Sequence, residues 1–215
     1  AIDAQSSEQG FDVTSAARAT LPSPEHEHED EGAGAGTEHQ EEGTDPHFWL
    51  DPTRYAEVAK AIGEHLAELD PAHAPDFRTR ASDFAGRLSA LDADFRDGLR
   101  TCASRVLVTS HAAFGYLADR YQLTQASIAG VSPDAEPDAA TMSEIVARIR
   151  QEGVTTVYSE TLASPALAQT IARETGATMA ILDPIEGLTD ESAGTDYLEI
   201  MRSNLATLRA GQGCS

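Results

Sequence analysis

The sequence predicts an α/β fold, a parallel sheet flanked by helices with a long connecting helix before it. Three observations predict this. From Val106 onward, short apolar runs alternate with helical segments at the spacing of βαβ units. Upstream, Pro75 to Leu99 carries apolar residues three and four apart, over a length that spans most of a small domain. Between the chain start and these patterned regions lies a stretch, 25–44, with almost no apolar side chains.

Taken in order, residues 1–24 are weakly patterned, and Phe11-Asp12-Val13 predicts at most a short strand. Glu25-His26-Glu27-His28-Glu29-Asp30-Glu31 then leads into a Gly/Ala run and Glu38-His39-Gln40-Glu41-Glu42-Gly43, uninterrupted by Lys or Arg. Such a segment buries too little apolar surface to order itself, so a mobile loop is expected. Structure should resume at Asp45-Pro46-His47-Phe48-Trp49-Leu50-Asp51-Pro52. A helix over 53–69 follows, with Tyr55, Val58, Ala59, Ile62, Leu66 and Leu69 on one face, stopped by Asp70-Pro71. In the long helix the inward residues are Phe77, Ala81, Phe84, Leu88, Leu91, Phe95 and Leu99. Strands are expected at 106–109, 125–128, 154–158 and 178–182. Helices are expected at 111–121, 138–152 (stopped by Gly153), 164–176 (entered through Ser164-Pro165) and 196–209.

Composition narrows the function. With 215 residues, 40% of them hydrophobic, the chain can build a real core. A formal net charge of -21 argues against a nucleic-acid partner and suits a chain that attracts cations. No apolar run is long enough to span a membrane. The chain begins at Ala1 without a leader, which reads as a processed or partial product. Cys102 and Cys214 are far apart; they either pair, tying down the carboxy terminus in an oxidising compartment, or stay free.

Open parallel sheets bind ligands beyond the carboxyl ends of their strands. There the sequence offers Ser110-His111, Ser159-Glu160 and Asp183-Pro184-Ile185-Glu186, with His47 arriving from outside this region. Imidazole and carboxylate together suit zinc, manganese or iron. His47, His111 and Asp183 are the candidate ligands, and Glu160 is a supporting partner. His26, His28 and His39 make weaker, flexible metal contacts, whereas His65 and His73 read as solvated surface residues. Catalysis is not expected. HExxH, GxSxG and the Walker loop are absent, and Ser110 and His111 are adjacent, which is poor geometry for a nucleophile and its base.

Several of these segments, in order, resemble the metal-specific solute-binding proteins of ABC importers. The carriers are residues 45–52, Val108-Thr109-Ser110-His111-Ala112-Ala113-Phe114-Gly115-Tyr116-Leu117, Ser132-Pro133-Asp134-Ala135-Glu136-Pro137, Glu160-Thr161-Leu162-Ala163-Ser164-Pro165 and Leu182-Asp183-Pro184-Ile185-Glu186-Gly187-Leu188. The His/Glu-rich loop is typical of the zinc-transporting members.

The resemblance implies two lobes with metal between them. Residues 1–24 would be a remnant of the amino-terminal lobe, 25–44 a mobile loop, 45–74 the end of that lobe, 75–100 the linking helix, and 101–215 the carboxy-terminal α/β lobe. It implies His47, His111 and Asp183 as metal ligands and a Cys102–Cys214 disulfide. Histidine at position 111 implies Zn(2+) over Mn(2+). The partners implied are a divalent metal ion and an ABC importer permease. The setting implied is extracytoplasmic, at the periplasm or cell surface, and the state a monomer. Manganese or iron binding by the same fold, or a metal-dependent surface adhesin, are the alternatives. Members carry a further His ligand about a hundred residues upstream of His47's motif, beyond the start of this sequence, so a weakened site is expected.

Overall fold

The computed structural model describes residues 10–22, 44–130, 137–162 and 164–215. The loop histidines His26, His28 and His39, and most of the Ser132–Pro137 motif, lie outside them. Four strands, β1 (Val106–Thr109), β2 (Thr124–Ser127), β3 (Thr156–Ser159) and β4 (Thr178–Ile181), form one sheet in the order β2-β1-β3-β4. All neighbours run parallel, with Val108 opposite Ala126 on one side and Val157 on the other. The crossovers are helical: α4 (Gly115–Tyr121), α5 (Ala139–Glu152) and α6 (Ala166–Thr175), with α7 (Tyr197–Gly211) following β4. Strand alternation sends side chains to two cores. Val106, Val108 and Val157 pack with α5 and α6 residues such as Ile149 and Ile171. Leu107 and Tyr158 face the opposite way, into a core with Leu88, Leu91 and Phe95 of the long helix and Leu198, Met201 and Leu208 of α7. A sheet covered on both faces explains why its inner strands β1 and β3 are buried at every position.

Before the sheet, α2 (Pro52–Leu69) and the long helix α3 (Ala74–Gly98) pack against each other. The expected apolar face of α2 is only partly the buried one. Ala56, Val58, Gly63 and Ala67 are buried, whereas Ile62, Leu66 and Leu69 are 40%, 39% and 69% exposed. The small residues let the two helices approach closely. A Cβ on Gly63 would sit 2.5 Å from the Ala81 Cβ, so the contact line is set by size and not by hydrophobicity.

Phe11–Val13 does not form the expected strand. Asp12 accepts from Thr14 N–H and a short helix, α1 (Thr14–Ala17), follows, while Phe11 stacks on His65 at 4.2 Å. His65 is thus half-buried under a ring, whereas His73 is exposed and paired to Asp70. The helix expected from His111 begins only at Gly115, because the His111 carbonyl accepts from Thr109 Oγ1 and Gln125 Nε2 instead. Cys102 and Cys214 are joined by a disulfide that ties the end of α7 to the entrance of β1. No helix among the described residues is long and apolar enough to cross a membrane.

Candidate metal centre

The chain order reverses between β1 and β3, which leaves a crevice beyond their carboxyl ends. His111 follows β1 and Glu160 follows β3, so both stand at this crevice. His111 is fully buried. Its main-chain N–H donates to Glu160 Oε1 at 3.0 Å, and its Nδ1 bonds the other oxygen of the same carboxylate. That two-point hold leaves Nε2 facing the crevice with no hydrogen-bond partner.

His47 reaches the same place from the segment preceding α2. Asp45 Oδ1 accepts from both its main-chain N–H (2.9 Å) and its Nδ1 (2.7 Å). Asp45 is itself fixed: its N–H donates to Leu21 O, and its carbonyl accepts from Tyr116 Oη at 3.1 Å. Gly115 allows this approach, since a Cβ there would lie 2.8 Å from Asp45 Oδ2. Downstream, Leu50 is fully buried and Asp51 caps α2 by accepting from Thr53. The two imidazole rings stand 5.4 Å apart, centroid to centroid.

The third group is Glu186. Its Oε1 lies 3.1 Å from His47 Nε2 and 3.4 Å from His111 Nε2. One ligand atom from each of His47, His111 and Glu186 falls within 4.8 Å of the others. Asp183 is not part of that group. It is buried, its Oδ1 accepts from Ile185 N–H at 2.8 Å, and its Oδ2 has no partner. The bond to Ile185 closes a turn in which Ile185 takes φ 59°, a left-handed value that costs a β-branched residue energy. That turn swings Glu186 back over the histidines. The sequence pointed to the carboxylate at the strand end, Asp183, whereas the structure brings Glu186, beyond the turn, to the two imidazoles. The signal was present in Asp183-Pro184, a turn-forming pair followed directly by another acid. Asp45 was missed as the partner of His47, although an Asp-x-His spacing suits a side chain that bonds both nitrogens of the histidine.

Burial disfavours charge on His111, but its bond to Glu160 and its ion pair with Glu186 outweigh that and push its pKa up to about 9. His47 shifts upward by the same balance: burial opposes it, and Asp45 and Glu186 prevail. Its ion pairs with His111 and His47 draw the Glu186 carboxyl down to about 2, against burial. The pocket therefore favours positive charge between the two Nε2 atoms. A divalent cation supplies such charge, with two imidazoles and a carboxylate as its donors. The residues fit a metal in a further respect. The buried Asp183 Oδ2 has no hydrogen-bond partner, which is costly unless something else meets it, and His111 Nε2 has Glu186 Oε1 at 3.4 Å, beside His47 Nε2.

A parallel sheet covered on both faces thus carries a cluster of two imidazoles and a carboxylate at its switch point. The chain belongs to the ZnuA family, described as zinc-uptake complex component A, periplasmic, which it matches over residues 1–211. It is 41% identical over 178 residues to the zinc-binding protein AdcA of Streptococcus pyogenes, covering 80% of this chain and 35% of that protein. It thus spans about a third of that relative's length. The zinc-bound ZnuA-like domain of Streptococcus pneumoniae AdcA superposes with a TM-score of 0.67 at 37% identity, covering 79% of this chain and 64% of the other. A mutant structure of the laminin-binding adhesin Lmb of Streptococcus agalactiae gives a TM-score of 0.76 at 30% identity, covering 92% and 69%.

Proposed function

We propose that the chain captures zinc outside the cytoplasm and hands it to an ABC-type membrane importer, performing no chemistry on it. The observation that carries this reading is the convergence of His47, His111 and Glu186 ligand atoms within 4.8 Å, each imidazole held by a carboxylate on its other nitrogen. That is the usual way a protein fixes the tautomer and direction of a metal-binding histidine. Two nitrogen donors favour zinc over manganese, which prefers an all-oxygen shell. The proposed cage is His47 Nε2, His111 Nε2 and a carboxylate of the 183–186 turn. Glu186 is within reach, and Asp183 braces the turn with a free oxygen behind it. Water or one further donor completes four-coordination. Family membership and the zinc-bound relative support the cargo.

Calorimetric titration with zinc and manganese tests the proposal. Zinc should bind more tightly, and tighter manganese binding would overturn the choice of metal. Glu186→Gln should weaken zinc more than Asp183→Asn does, and the reverse order would make Asp183 the ligand. The likeness to Lmb favours a second reading, a metal-dependent adhesin. Binding to immobilised laminin that disappears with a chelator would support it.

A further inference from the structure

The last helix carries no proposed ligand, yet it touches both segments that do. Asn204, 3% exposed, makes a two-point contact with the Asp183 peptide unit. Asp183 N–H donates to Asn204 Oδ1 at 2.9 Å, and Asn204 Nδ2 donates to Asp183 O at 2.7 Å. β4 is an edge strand whose ladder to β3 ends with Leu182 N–H on Ser159 O. The Asn204 amide takes over at the next residue, offering one donor and one acceptor as a neighbouring strand would. It therefore fixes where the turn leading to Glu186 begins. On the same helix, Tyr197 Oη donates to the Trp49 carbonyl at 2.6 Å. Trp49 is two residues from His47, and its Nε1 donates to Pro184 O at 2.8 Å, inside the same turn.

Residues 197 and 204 are seven apart, two helical turns, and so share a face about 10 Å long. The helix between them is anchored at both ends. Asp196 caps its start by accepting from Glu199 N–H. At its end, Gln212 Nε2 donates to Val106 O at 2.9 Å, and Cys214 is bonded to Cys102.

The geometry points to α7 as a strut that sets the spacing of the metal cage, with Asn204 and Tyr197 as positioning residues for Glu186 and His47. This rests on the zinc-site reading above. The cage needs its donors held to fractions of an ångström. The segment bearing His47 and the turn bearing Glu186 are 139 residues apart in sequence. Apart from the His47–Glu186 contact itself, their polar link is the Trp49–Pro184 bond, and α7 braces both sides of it.

The test uses the full chain and zinc ion as the probe. Zinc affinity is read by competition with a chromophoric chelator, and the site is watched through the indole N–H resonance of Trp49, the single tryptophan. Asn204→Ala and Tyr197→Phe should each weaken zinc by about 10–100-fold, the range for residues that support metal ligands. The indole resonance should already shift in the metal-free variants. In a Glu186→Gln background, Asn204→Ala should cost little more, because the group it positions is gone. An additional loss as large as in the unmodified chain would mark Asn204 as merely structural. Unchanged affinity in both variants would overturn the inference. If Asn204→Ala does not fold, Tyr197→Phe, which removes one hydroxyl, decides alone. If the unmodified chain ignores zinc, the transport reading fails. The indole shift in metal-free variants then still supports the strut, and its absence removes it.

Discussion

Zinc binding at the proposed site would displace protons, and their number follows from the surroundings of His111 and His47. With its pKa raised to about 9, His111 holds a nearly full proton at pH 7. Burial opposes charge on His47, but Asp45 and Glu186 raise its pKa above the ordinary value, so it adds to that proton count. Glu186, drawn down to about 2, holds none. Zinc binding at pH 7 should therefore release about one proton from His111 and a further share from His47. Protons compete with the ion, so the sign is fixed: apparent affinity rises with pH. His111 alone contributes about tenfold per pH unit below 9 and nothing above it. Titration calorimetry in buffers of different ionisation enthalpy gives the proton count as a slope. A release below about half a proton would refute the reasoning, because it would mean that neither imidazole is charged in the free site or that neither binds the ion.

The same shifts govern the metal-free protein. Raised pKa values make protonated His111 and His47 stabilising below about pH 6.5, and His111's share is lost as pH climbs through about 9. The depressed Glu186 stabilises above about pH 4.5, and its share is lost as pH falls through about 2. Thermal melts in chelator should accordingly show this site's contribution largest between about pH 4.5 and 6.5 and falling at higher pH, whereas zinc-loaded protein should gain stability as pH rises through neutrality. Breaking the Cys102–Cys214 link, which spans 112 residues, should cost about 2–5 kcal/mol in denaturant unfolding. Gly63→Val should separate α2 from α3 and cost about 1–3 kcal/mol, read as a lower denaturation midpoint, because even a Cβ meets Ala81 at 2.5 Å.

How much of this was legible in the sequence depended on whether a residue acts through local pattern or through a turn. The strand at 106–109 was legible because a buried parallel strand reads as a short apolar run, and the half-exposed edge strand at 178–181 because Gly176 and Asp183-Pro184 bracket an apolar run. His111 and Glu160 were legible because the switch-point rule places the residues after β1 and β3 at one crevice. His47 and His111 do converge, with rings 5.4 Å apart. The buried face of α2 was not legible, because Gly63 and Ala67 score as weak hydrophobes yet permit the closest approach. Glu186 was not legible as the group facing both imidazoles, because its direction comes from a left-handed Ile185 held by an Asp183 side chain. Periodicity carries no information about such a turn.

The charge arrangement explains why the cage needs so many acids. Asp45, Glu160 and Glu186 face two imidazoles, and in the metal-free site they draw protons onto those rings. When the ion enters, the protons on these rings leave and two positive charges arrive, so part of the incoming charge replaces charge the carboxylates already faced. Little of the pocket then has to rearrange to compensate for charge, and the free site is held in a shape close to the one the ion requires. The energy saved is the reorganisation that a neutral, uncompensated pair of histidines would demand. A trivalent or monovalent ion breaks that balance. Zinc should therefore bind with little change in the Trp49 environment, and acid should release it as protons return to the two imidazoles, well before Glu186 titrates.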